Sequence, residues 1–222
     1  NVILMYMSIE ISDNRARALI AKAIEIEAIG AIDAGELGFM PRILVQTSLP
    51  YRDPKAQIYT RINGGVKLTM MSPNGVPYGS IPRSLINYLA TEAVRTKSPF
   101  ISLGRSQNDF TRLLGMGTAG GAQKDRMKTQ CKRFFTTVLS VEVSNTLKNG
   151  TIQEAMESVL VAKKAFIFWN PHSEPMQWES SIELTQDFFQ ECITRPIPVD
   201  MRVMDVLSTS PLAMDVYVWL TW

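Results

Sequence analysis

Hydrophobic and polar positions follow two different periods in the first third of the chain. The polar run Ser12-Asp13-Asn14 offers N-cap oxygens, and the aliphatic residues after it recur at helical spacing up to Gly30. From Gln57 to Met71 the pattern changes to strand-like alternation around Asn63-Gly64-Gly65, which predicts a β-hairpin. A stretch rich in turn residues follows, so we predict that residues 1–76 form an N-terminal segment of one helix and one hairpin.

Residues 77–200 show the periodicity of three helices with strands between and after them. Apolar stripes predict helices over Ile81–Lys97, Ser106–Leu114 and Ala122–Leu139. Alternating patterns predict strands over 100–103, 140–146, 159–169 and 178–184. The order is helix, strand, helix, turn, helix, strand, strand, which is typical of a winged helix-turn-helix. We therefore predict an α+β fold, with a further amphipathic helix over 185–194.

The last block, residues 201–222, repeats an earlier spacing. After Ser210-Pro211, the apolar residues Met214, Tyr217 and Val218 fall at the intervals at which others follow Pro82. This short echo predicts the start of a truncated second winged helix.

Composition places the chain among ordinary globular proteins. It has 222 residues, of which 45% are hydrophobic, and its apolar stretches are interrupted by charge before they reach the length of a membrane span. Cys131 and Cys192 lack a metal-binding spacing, so we expect no metal site. These features favour a cytoplasmic protein with no membrane partner.

Two motifs with possible enzymatic chemistry stand in the wrong context. Gly115–Gly120 matches the letters of a dinucleotide-binding loop, but it follows a capped helix rather than a buried strand. The single histidine, His172, lies in a polar turn. No P-loop or nucleophile elbow is present in the sequence. We therefore expect no cofactor and no enzymatic activity, and we interpret the glycines as the turn between two helices.

The charge is concentrated in one window, between Ala93 and Phe135. Nine Lys or Arg residues stand there against two acids, whereas the whole chain has a formal charge of only +2. A localised basic patch is typical of a nucleic-acid-binding surface, and the alternative is a solvated helix face. If the third helix contacts DNA, the candidate DNA-binding residues are Arg105, Ser106, Thr118, Lys124, Arg126, Lys128, Thr129, Lys132 and Arg133. We expect Arg126→Ala combined with Arg133→Ala to weaken DNA binding without changing stability.

Six separated blocks, in order, resemble one known family, the plasmid-encoded RepA replication initiators. The blocks are Tyr78–Arg83, Thr91–Thr96, Leu103–Ser106, Trp178–Ser180, Pro198–Arg202 and Ser210–Asp215. The resemblance runs from about Gly35 to Trp222. It implies two tandem winged helices, binding to repeated sites in double-stranded plasmid origin DNA, a bacterial host, and recruitment of the host initiator and replicative helicase.

Our leading hypothesis is therefore a plasmid replication initiator that is not an enzyme. Two alternatives remain open at this stage. One is a winged-helix transcriptional repressor, and the other is a winged helix used for dimerisation or protein interaction.

Overall fold

The computed structural model describes residues 30–116, 120–146, 152–167 and 180–221. Seven helices and nine strands lie within these residues. In chain order they are β1 Leu37–Met40, α1 Arg42–Gln46, β2 Ile58–Asn63, β3 Val66–Met71, α2 Ser80–Thr96, β4 Phe100–Ser102, α3 Gln107–Leu113, α4 Gly121–Phe135, β5 Val138–Thr146, β6 Ile152–Leu160, β7 Ala162–Phe166, β8 Ser181–Leu184, α5 Gln186–Thr194, β9 Ile197–Asp200, α6 Met201–Leu207 and α7 Pro211–Thr221. The predicted α+β fold class is confirmed.

The strands form three antiparallel sheets. One contains β1 and β9, the second has the order β2-β3-β5-β6, and the third has the order β4-β8-β7. The predicted hairpin is confirmed as β2 and β3, with Asn63 paired to Val66 across the two glycines of the turn. Gly64 has φ +57, a backbone conformation that side chains with a Cβ seldom adopt.

Side-chain caps and one left-handed residue set the helix ends. Ser106 Oγ accepts the Asp109 N–H at 3.1 Å at the start of α3, as the capping sequence predicts. Thr185 Oγ1 accepts the Phe188 N–H at 3.3 Å at the start of α5. Helix α2 ends at Lys97, which has φ 54 and donates its N–H to Ala93 O.

The hydrophobic core lies between α2, α4 and α5. Leu85 and Leu89 of α2 are fully buried, as are Met127 and Phe134 of α4. Phe134 meets Phe188 of α5 edge to face, with ring centroids 6.1 Å apart. This packing fixes the three helices relative to one another, and it therefore fixes which side of α4 faces solvent.

A buried arginine joins distant parts of the chain around the start of α2. Arg83 is 2% exposed, and its Nε and Nη2 each donate to a carboxylate oxygen of Asp215 at 2.7 Å. Nη1 donates to Gly79 O and Nη2 to Leu49 O, at 2.6 and 2.7 Å. The guanidinium also lies 5.3 Å from the centroid of the Tyr51 ring. One side chain thus holds the residues before α2, the α2 start and α7 together.

Two predictions in the region after α3 are wrong. Helix α4 ends at Phe135 rather than at Leu139, because β5 begins at Val138 and pairs with β3. The predicted strand 140–146 therefore belongs to the sheet of the hairpin, although the prediction counted it toward the wing. In the described part of the predicted strand 159–169, the first two residues end β6 and a separate strand, β7, begins at Ala162. Strand pairing between distant segments decided both outcomes.

The core continues across both predicted boundaries. Pairing of β1 with β9 and of β3 with β5 crosses 76/77, and the Arg83–Asp215 ion pair crosses 200/201. The helix predicted after Ser210-Pro211 is confirmed as α7, in which Met214 and Val218 are buried. Whether the three segments act as separate units stays a prediction, as does the second winged helix. The predicted N-terminal helix lies outside the described residues.

Within the described parts of the chain, no helix is both long and apolar enough to span a membrane. Cys131 and Cys192 are buried, and burial raises the pKa of both thiols.

Candidate nucleic-acid interface

Helix α4 has one buried side and one cationic side. Met127, Cys131 and Phe134 are 0% exposed, and they recur at the three- and four-residue intervals of one helix face. The other side carries most of the predicted DNA-binding residues. Arg126, Thr129 and Lys132 are exposed, and Lys124 and Lys128 are partly exposed. The buried side fixes the helix, and so it fixes the direction in which these side chains point.

Hydrogen bonds also attach α4 to the segment before α2. Gln130 is 4% exposed, and its Oε1 accepts the Tyr78 N–H at 2.9 Å. Ser72 Oγ donates to Arg133 O at 3.0 Å. These contacts prevent rotation of the helix about its axis, which keeps its cationic side in solvent.

Arg133, the last predicted DNA-binding residue, points inward rather than into solvent. Its Nη1 donates to Asp53 Oδ1 at 3.2 Å and to Val76 O at 3.1 Å, and the guanidinium lies 5.2 Å from the centroid of the Tyr78 ring. Its side chain is 17% exposed. The pKa of Asp53 is lowered, first by the backbone N–H of Lys55 and also by Arg133. Arg133 therefore joins α4 to the loop before β2, and we leave it out of the interface proposed below.

The predicted residues before α4 are more scattered. Arg105 is exposed and lies two residues before α3. The hydroxyl oxygen of Ser106 caps that helix, so the hydroxyl already has a structural role. Thr118 lies outside the described residues.

Acidic side chains lie close to several of the cations. Lys128 Nζ is 3.8 Å from Asp125 Oδ1, and Arg112 Nη2 is 3.4 Å from Asp109 Oδ1. Thr129 Oγ1 donates to the backbone oxygen of Asp125 at 2.9 Å. Because Arg112 and Asp125 are well exposed, these pairs contribute little to stability and can exchange their partners for phosphate.

A groove separates the second half of α4 from strand β7. It is lined by Lys128, Thr129, Lys132, Phe135, Thr136, Ala165 and Ile167. Strand β7 also carries two exposed cations that do not line this groove, Lys163 and Lys164, and Lys163 Nζ lies 2.7 Å from a carboxylate oxygen of Glu183. Neither lysine was among the predicted DNA-binding residues, because both lie outside the basic window. Their signal was a Lys-Lys pair in a predicted strand.

Comparisons with known proteins relate the chain to one protein family and to solved structures. A family model described as plasmid-encoded RepA protein matches residues 76–222. No curated protein sequence matches the chain. A crystal structure of RctB domains 2-3 is similar at 15% identity with a TM-score of 0.46, over 69% of this chain and 59% of that chain. A selenomethionine derivative of domains 2 and 3 of RctB is similar at 14% identity with a TM-score of 0.51, over 77% and 66%.

This chain therefore spans about three fifths of the first of the two RctB chains. At such low identity, the likeness to the second RctB structure bears on the fold alone.

Proposed function

This chain belongs to the family of plasmid-encoded RepA proteins, and from that premise we propose that it initiates plasmid replication by binding repeated sites in double-stranded origin DNA. In this proposal the chain is a binding protein that needs no cofactor and catalyses no reaction. It acts in the cytoplasm of a bacterial host. The host initiator, the replicative helicase and a second copy of the chain are its proposed protein partners.

We propose that the part of the chain that binds DNA is a winged helix with an insertion. Helix α2, strand β4 and helices α3 and α4 follow one another in the winged-helix order, and β7 and β8 close a sheet with the order β4-β8-β7. In this interpretation β5 and β6 are the insertion, because they leave the winged helix and extend the hairpin sheet. Helix α4 is then the recognition helix.

The observation that carries the proposal is the division of α4 into a fully buried side and an exposed cationic side. A helix that only packs needs no row of cations, whereas a helix in the major groove has phosphates along both flanks. Arg126 and Lys132 are the most exposed cations of this side, and Lys124 and Lys128 flank them. The groove beside β7 continues this cationic side, since Lys128 and Lys132 line it.

The test is a titration of labelled duplexes that carry the origin repeats, with scrambled duplexes as the comparison, at several salt concentrations. We expect the double variant Arg126→Ala/Lys132→Ala to bind more weakly and to lower the slope of log K against log salt by about 2, since each phosphate contact releases about one counterion. Arg52→Ala/Arg195→Ala is the matched control, because it removes two exposed cations outside α4. An unchanged slope in the first variant, or an equal loss in the control, would exclude α4 from the interface.

A repressor would use the same interface at a promoter, so the preference for origin repeats over promoter sequence separates it from an initiator. Protein interaction is a second candidate function, and the exposed apolar side chains of α7 favour it: Leu212, Val216, Trp219 and Leu220. If no duplex binds even at low salt, the interaction role replaces the DNA-binding one.

A further inference from the structure

The three-stranded sheet β4-β8-β7 exposes two phenylalanines on one face. Ile101 and Ile182 are buried on the inner side of this sheet, at 2% and 1% exposure. Phe100 on β4 is 64% exposed and Phe166 on β7 is 58% exposed. Most of the other phenylalanines that the structure describes are buried, so two exposed rings on one small sheet set this surface apart.

The strand register places both rings on the same side. Phe100 pairs with Glu183, which pairs with Lys164, and Ser102 pairs with Ser181, which pairs with Phe166. Paired residues lie on one face of a sheet, and so do residues two apart along a strand. We call the face formed by these six residues the outer face.

The geometry of the sheet keeps the two rings apart. Two strand spacings and one two-residue step separate their Cα atoms by about 12 Å. Rings in contact have centroids only about 4.5–7 Å apart. Each phenylalanine can therefore offer a ring face to a separate partner.

Cations surround these rings. Lys164 shares a row with Phe100 on the outer face, and the charge of Glu183 on that face is balanced by Lys163 at 2.7 Å. Two more exposed cations flank strand β4: Lys97, in the turn between α2 and β4, and Arg105, after β4. An apolar surface for a protein partner does not need such a set of cations, whereas a polyanion with flat, apolar groups does.

We propose that the outer face binds single-stranded DNA, with bases stacked on Phe100 and Phe166 and phosphates paired with Lys164 and the cations that flank β4. Bases in a duplex are already stacked on each other, so only an unpaired strand can use exposed rings in this way. The site goes beyond the duplex-binding function proposed above, and it uses none of the α4 cations.

The test is a fluorescence anisotropy titration of the full chain with labelled oligo(dT) of 20 nucleotides. We expect Phe100→Ala and Phe166→Ala each to weaken binding about tenfold, as is usual for a lost base–aromatic stack. Phe166→Tyr keeps a ring and retains binding, whereas Phe166→Leu keeps apolar area without a ring and loses it. Trp219→Ala is the matched control, because Trp219 is 59% exposed and lies on α7. Urea unfolding of each variant verifies that the fold is intact.

Unchanged oligo(dT) affinity in the Phe100→Ala/Phe166→Ala variant would overturn the proposal, and so would an equal loss with Trp219→Ala. Full binding by Phe166→Leu would also overturn it, since the face would then act as an apolar docking surface. A parallel titration with origin duplex keeps the two hypotheses apart. The phenylalanine variants should leave duplex binding unchanged, while Arg126→Ala/Lys132→Ala tests the duplex site alone.

Discussion

Arg126 and Arg133 lie seven residues apart on the same helix, yet they belong to two different regions of the molecule. Arg126 is on the solvent side of α4, where a cation can contact a phosphate. Arg133 lies in the contact between α4 and the loop before β2, where Asp53 and Val76 O bind its guanidinium. The charge of a sequence window counts both residues equally. The comparison shows that only the surroundings of a cation tell whether it can bind a ligand or holds the fold together.

A second arginine, Arg83, also holds the segment before β2 in place. Arg83 binds Leu49 O, and Arg133 binds Asp53 four residues later, so both hold the segment before β2. Tyr51 lies between these two points and contacts Arg83. Two arginines thus attach an irregular segment to α2, α4 and α7.

The largest effect that tests this comparison is expected from Arg83→Met. The change leaves the Asp215 carboxylate and two carbonyl oxygens without their donor, so the free energy of unfolding should fall by about 3–5 kcal/mol in urea titrations. If the variant does not fold, Asp215→Asn tests the same pair with a smaller loss. A decrease below about 1 kcal/mol in both variants would show that this arginine is not a structural cation.

Arg133→Ala should have the next largest effect, a decrease of about 2 kcal/mol in the free energy of unfolding, because it removes an ion pair, a carbonyl contact and ring packing. The salt slope of DNA binding should stay unchanged. Arg126→Ala is the matched variant, with a change in stability below about 0.5 kcal/mol and a slope lowered by about 1. A lowered slope at unchanged stability in Arg133→Ala would instead restore the sequence-based expectation that both arginines contact DNA.

Local chemistry made much of the fold predictable from the sequence. Ser106 and Thr185 have hydroxyls that cap helices, and both helices begin there. Asn63 and Gly64 are suited to a tight turn, and the hairpin turns there. The cationic side of α4 was equally predictable. In a helix with 3.6 residues per turn, neighbouring residues point in different directions, so Met127 is buried while Arg126 is exposed. These features depend on residues within a few positions of one another.

The features that sequence reasoning missed depend on distant partners. Strand β5 pairs with β3, about 70 residues earlier along the chain, and alternation alone does not reveal which sheet a strand joins. The partner of Arg133 is Asp53, 80 residues away, so its inward direction had no local signal. The groove beside α4 likewise depends on β7, a separate strand whose position next to the helix no local pattern indicates.

A smaller effect is expected from acid. The pKa of Asp53 is lowered in the folded protein, first by the Lys55 N–H and also by Arg133, so the unfolded chain binds this proton more tightly. Its contribution to stability is complete above the ordinary carboxyl pKa of about 3.9 and is lost as the pH falls through the lower folded value. Urea midpoints measured from about pH 5 to about pH 2.5 should therefore fall more steeply in the wild type than in Asp53→Asn. If the two curves run parallel, the ionised Asp53 carboxylate does not contribute to the stability of this region.

The smallest expected effect comes from an acid on the solvent side of α4. Asp125 is 77% exposed and lies 3.8 Å from Lys128, so it both attracts a candidate DNA-binding cation and repels phosphate. Asp125→Asn keeps the shape of the side chain and leaves the backbone oxygen that Thr129 uses. Affinity for origin duplex should rise about twofold at low salt, and the gain should disappear at high salt because exposed charges are screened. Asp187→Asn on α5 is the control, since it removes an exposed acid from another helix. An equal gain in that variant would mean that duplex affinity follows the net charge of the whole chain, and the distinction between the two sides of α4 would then have no bearing on binding.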